Sequence, residues 1–129
     1  MFEPIPDETE QIVTNLVDAA FKVHRALGPG LLESVYEVCL CHELAKREIP
    51  FRRQLNMPVV YDGIRLESGY RLDLLVSEAV IVEIKSVEDI TPLHEAQLLT
   101  YLKLTGKRIG LLLNFNTPTL KDGFKRLIN

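Results

Sequence analysis

The stretch YRLDLLVSEAVIVEIKS, residues 70 to 86, constrains the fold more than any other part of the chain. Two apolar, strand-like runs flank Ser77, Glu78 and Ala79, three residues that suit a tight reversal. With those three as the turn, Val76 pairs with Val80 and the register follows outward residue by residue. Asp73 then falls opposite Glu83, and Arg71 opposite Lys85. Period two places Leu72, Leu74, Val76, Val80, Val82 and Ile84 on one apolar face, and Arg71, Asp73, Leu75, Ile81, Glu83 and Lys85 on the other. Directly opposed carboxylates stand about 4.5 to 5.5 Å apart at Cβ and repel unless a cation lies between them. Asp73 and Glu83 so placed suit a hard, oxygen-preferring dication, Mg²⁺ or Mn²⁺. Lys85 leans over the same point, able to steer a water or stabilise a phosphate oxygen. The same charges also suit the solvated face of an amphipathic hairpin, although Leu75 and Ile81 on that face argue that it is partly covered.

The surrounding sequence supplies partners for this hairpin. Asp7 stands three residues ahead of Glu10, a capping-box spacing, and apolar residues from Ile12 to Leu27 recur at helical intervals until Gly28 and Pro29. A second helix is expected from about Leu31, failing before Pro50. From Phe51 the pattern becomes strand-like, with Asp62-Gly63 as a two-residue hairpin turn and Ser68-Gly69 as a bulge or second turn. Thr91 is a good N-cap and Pro92 a good first helical residue for a helix stopped by Gly106. RIGLLLNF reads as a buried strand able to join the sheet in parallel, and the tail LKDGFKRLIN suits an edge strand better than a short helix. An α/β fold follows, in the order helix, helix, three or four strands, helix, strand.

The 129 residues fit one domain, 1–129, with residues 1–6 as a loose lead-in. No apolar run approaches the roughly 18 residues needed to span a bilayer, and the N-terminal residues are acidic, so no membrane partner and a cytoplasmic location are expected. Cys39 and Cys41, two apart on a helix, diverge too far to bridge, and no second Cys/His pair completes a zinc site with His42. Net charge is −3, yet residues 99–129 carry +5 and residues 1–98 carry −8. That split fits a basic surface facing a polyanion, or ordinary solvated surface.

Asp73 followed by Glu83-Ile84-Lys85 on adjoining strands resembles the signature of the PD-(D/E)xK nuclease superfamily. GLLESVYE matches the motif of the GxxExxY family through Gly30, Glu33 and Tyr36, and Gln97 with Tyr101 is similar to the QxxxY motif of RecB-like nucleases. Leu72 stands where the superfamily's name has proline. The resemblance covers about Ile12 to Ile128 and implies a restriction-endonuclease-like core, α(α)βββαβ, with a mixed sheet flanked by helices. It further implies a Mg²⁺- or Mn²⁺-dependent phosphodiesterase acting on DNA or RNA. Asp73 and Glu83 would be metal ligands, Glu33 an extra ligand or outer carboxylate, and Lys85 the residue that positions water. Gln97 and Tyr101 would hold phosphate or Lys85, and Tyr36 would orient Glu33. His94 is set aside as a solvated residue. A non-catalytic nucleic-acid-binding or protein-interaction module on the same fold is the competing expectation, and a homodimer would enlarge the surface available for a duplex.

Overall fold

A computed structural model describes residues 3–129 of the chain. Helix α1 (Asp7–Leu27) and helix α2 (Glu33–Lys46) precede a hairpin of β1 (Phe51–Tyr61) and β2 (Ile64–Val76), followed by β3 (Val80–Lys85). Helix α3 (Pro92–Thr105) then leads to β4 (Ile109–Asn114), and a four-residue helix α4 (Leu120–Gly123) leads to β5 (Phe124–Ile128). The sheet runs β1-β2-β3-β4-β5. Only β3 and β4 are parallel, because α3 carries the chain back to the starting edge before β4 begins; the other neighbours are antiparallel. This is the mixed sheet with flanking helices that the sequence predicts.

Each face of the sheet buries one apolar cluster. Leu16, Ala20 and Val23 of α1 and Tyr36, Leu40 and Leu44 of α2 pack on Leu74, Val76, Val80, Val82 and Ile84. On the opposite face Leu98 and Leu102 of α3 meet Leu72, Leu75, Ile81 and Leu112. Both α3 leucines are fully buried, each contributing about 1.5–3 kcal/mol. Helix α3 starts as expected, with Thr91 Oγ1 accepting from His94 N–H at 3.2 Å. His94 returns the contact, its Nδ1 accepting from Thr91 N–H at 3.0 Å, and so closes a capping box instead of facing solvent alone.

Three local expectations are corrected, and the choice left open at Ser68-Gly69 is decided for the bulge. Asp7 is the first residue of α1 and not its cap; Pro6 is the cap and no side chain bonds there, so Asp7, Glu8 and Glu10 support that helix end only through its dipole. Ser68-Gly69 is a bulge in a continuous strand and not a turn: the register shifts between Met57 and Val59 opposite it. A Cβ on Gly69 would lie 2.2 Å from Val59 Cγ2, which is why the bulge needs glycine. The tail forms both a short helix and a strand. Leu72 does not share a face with Leu74. The alternation breaks at Asp73 and, on the facing strand, at Gln54, whose φ is 50°. Phe51 therefore packs with the α1/α2 cluster and Leu55 with the α3 cluster.

Candidate active site

The break in alternation opens the sheet where the acids stand. The β2–β3 ladder holds the expected register through Val76↔Val80, Leu75↔Ile81 and Leu74↔Val82, then ends. Asp73 and Glu83, expected as the next pair, are not joined by the ladder, nor are Arg71 and Lys85. Instead Asp73 Oδ2 accepts from Ile84 N–H at 2.9 Å, so its side chain takes the place of a strand carbonyl between the parting strands.

Glu83 points to the α3 face, as does its neighbour Leu112 across the parallel ladder. It is only 6% exposed, and its Oε1 has no hydrogen-bond partner among the described residues. Burial, reinforced by the Asp73 carboxylate beside it and opposed by the Lys85 ammonium, pushes its carboxyl up to about 9. Alone, this glutamate keeps its proton at neutral pH. An oxygen without a donor, next to a second carboxylate, fits a bound hard cation: such an ion would supply the positive charge that the protein withholds.

Tyr101 reaches the same place from α3. Burial first, then the charges of Glu83 and Asp73, raise its hydroxyl above the ordinary value. Its ring stacks on Tyr70 of β2, centroids 4.9 Å apart at 18°. Gln97, one turn earlier, is exposed, and its side chain makes no hydrogen bond among the described residues.

Glu33 approaches from the α1/α2 side. Its Oε2 accepts from Ser86 N–H at 3.2 Å, while Ser86 Oγ donates to Leu31 O at 2.6 Å. This clamp ties the end of β3 to the loop before α2. Tyr36 shapes that loop: its hydroxyl donates to Gly28 O at 2.6 Å and accepts from Leu31 N–H at 3.1 Å, and its buried ring stacks on Phe115 at 4.5 Å. Glu33, Asp73 and Arg71 border one hollow of about 340 Å³. Among the described residues no three or more Asp, Glu, His or Cys side chains stand close enough together to hold a metal ion, so Glu33 does not join the acid pair as a third ligand here.

Several residues around the site escaped the sequence reading. Ser86 carries no motif signal. Buried Asn114, beside Lys85 in the parallel ladder, accepts from Val87 N–H at 3.1 Å and donates to Val87 O at 2.9 Å, holding the loop that follows Lys85. Glu37 accepts from Arg53 Nη2 at 2.7 Å and Gln54 Nε2 at 2.6 Å, bracing the kink opposite Asp73. Their partners come from other elements, which no spacing within one segment reveals. The cysteines are free, and burial pushes the Cys41 thiol up to about 11, so it stays protonated.

A family profile described as the PD-(D/E)XK nuclease superfamily matches residues 10–127. The chain belongs to the PD-(D/E)XK nuclease superfamily. The match includes both acids, Lys85, the α2 glutamate and all of α3, and the mixed five-stranded sheet agrees with that fold. No curated protein and no solved structure matches the chain significantly. No helix among the described residues is long and apolar enough to cross a membrane.

Proposed function

We propose that this member of the superfamily is a single-domain, divalent-metal-dependent nuclease of the GxxExxY type, hydrolysing phosphodiester bonds of DNA or RNA in the cytoplasm. One observation carries the reading: a buried glutamate with an unpartnered oxygen beside a second carboxylate, where β2 and β3 part. Stability alone disfavours that arrangement, since an unpaired buried acid must either repel its neighbour or stay protonated.

Asp73 and Glu83 are the residues that would hold Mg²⁺ or Mn²⁺, with Glu33 at the outer edge. Bound there, the ion supplies Lewis-acid stabilisation of charge on the phosphodiester and a lowered water pKa. Lys85, whose ammonium acts on the Glu83 carboxyl, orients the attacking water and donates to phosphate oxygen. Tyr101 holds a phosphate oxygen through its hydroxyl, and the exposed Gln97 extends that contact along α3 toward the strand. Glu33 steadies the backbone just past Lys85 through Ser86. Tyr36 keeps Glu33 in place by folding the Gly28–Leu31 loop, which accounts for the spacing of Gly30, Glu33 and Tyr36.

Calorimetric titration of Mg²⁺ and Mn²⁺ into wild type and Glu83→Ala tests this, together with cleavage of single-stranded and duplex oligonucleotides. Metal heat and cleavage in wild type, both missing in the variant, are the expected result. A wild type that takes up neither ion at millimolar levels overturns the catalytic reading and leaves the non-catalytic binding module. That module draws little support from the basic C-terminal segment. Arg126 pairs with Glu10, Lys125 with Glu95, and Arg108 donates to the carbonyls of Asn129 and Glu3, so half of its six cations serve the fold.

A further inference from the structure

The β1–β2 hairpin carries four arginines, and three are held by glutamates. Arg52 donates to Glu78, Arg53 to Glu37 and Arg65 to Glu67. Arg71 differs. It is exposed, and among the described residues its guanidinium makes no hydrogen bond and no ion pair. Carboxylates are close at hand, since Glu33 and Asp73 line the same hollow, but both have taken backbone N–H groups.

Arg71 also separates two hollows. One, of about 340 Å³, is lined by Glu33, Glu37, Asp73 and Arg53; the other, of about 280 Å³, is bounded by Asn56, Ser68 and Tyr70. Both lie near the lower limit of small-ligand sites, roughly 300 Å³. Each has room for about one nucleotide unit. The planar fork of an arginine matches a phosphate, and an aromatic ring beside a cationic residue, as Tyr70 stands beside Arg71, is how proteins commonly grip unpaired strands.

We propose that Arg71 is a phosphate-binding residue for one nucleic-acid strand, holding the phosphate next to the one cleaved as the strand passes from the acid-lined hollow to the Tyr70 hollow. This rests on the nuclease reading and narrows its substrate class to single strands, or single-stranded segments of larger nucleic acids. Arg53, fixed by Glu37, lines the far wall of the first hollow and adds a second, weaker contact.

The test is fluorescence anisotropy over a salt series, with a short labelled oligonucleotide as single strand and as duplex, in EDTA. Glu83→Gln serves as background, because it is expected to lack turnover. Adding Arg71→Ala is expected to weaken single-strand binding about tenfold at low salt and to reduce the slope of log affinity against log salt by about 0.7. Arg71→Lys should keep the slope. Circular dichroism should show both variants folded, since Arg71 is exposed. Unchanged affinity and slope in Arg71→Ala overturns the proposal, as does duplex binding at least as tight as single-strand binding, or no strand binding at all. Arg71-dependent binding combined with no metal uptake by wild type sinks the nuclease reading and leaves Arg71 as a strand-binding residue without a cleaved phosphate beside it. Metal uptake combined with indifference to Arg71→Ala sinks the Arg71 proposal alone.

Discussion

Glu37 and Glu83 are buried to the same degree, 5% and 6% exposed, yet the fold treats them in opposite ways. Glu37 receives two bonds from Arg53 and one from Gln54, so both its oxygens are satisfied and its charge is cancelled. Among the described residues Glu83 Oε1 has no partner, and a second carboxylate is its neighbour. Burial of an acid is therefore not what marks a site. The mark is burial without compensation, because a fold under selection for stability alone would have supplied a donor.

Removing each acid should sharpen that contrast. The largest effect is expected for Glu83→Gln, which keeps shape and loses charge: phosphodiester cleavage should fall by about a thousandfold or more, together with the heat of Mg²⁺ binding. A variant cleaving within tenfold of wild type would place the catalytic acid elsewhere.

Next comes the pH dependence of stability in the metal-free protein. Glu83 ionises at its ordinary value of 4.5 in the unfolded chain but at about 9 in the fold. The native state binds the proton more tightly, so this group's contribution is fully present below pH about 4.5 and is lost as pH rises through about 9. Urea unfolding in EDTA should show wild type losing on the order of a few kcal/mol across that window. Glu83→Gln should be nearly flat and, at alkaline pH, more stable than wild type; a wild type that gains stability over the window would refute the burial argument.

Glu37→Gln should behave as a structural lesion. Its melting temperature should drop by about 5 °C, the scale of one charge-assisted interaction lost from a domain of this size, with metal heat unchanged. Loss of metal binding in a folded Glu37→Gln would mean that the kink it braces positions Asp73 more directly than the contacts indicate. The smallest effect is expected for Tyr101→Phe. It retains the stack on Tyr70 and loses only the hydroxyl, so turnover should fall less than tenfold and metal affinity should not move.

The local signals in the chain translated well into elements. Thr91, Pro92 and Gly106 delimit α3, Asp62-Gly63 joins β1 to β2, and the three-residue turn at Ser77 sets the Val76↔Val80 register. Each depends on backbone preferences within a few neighbouring residues. The face of Leu72 was misread because period two was carried through Asp73. The kink there is shared with Gln54, nineteen positions away, whose left-handed backbone is braced by Glu37 of a different helix.

What the sequence determined by itself is the order of elements through β4 and the register of the central hairpin from Val76↔Val80 to Leu74↔Val82. Both follow from periodicity and turn chemistry, which are properties of short segments. Tertiary structure alone decided which charges are compensated: that Glu37 meets Arg53, that Glu33 turns to Ser86, that Tyr70 stacks on Tyr101, and that Glu83 Oε1 and the Arg71 guanidinium find no partner among the described residues. Compensation joins groups from different elements across a low-dielectric interior, and its sign depends on distances of a few ångströms that only the packed chain sets.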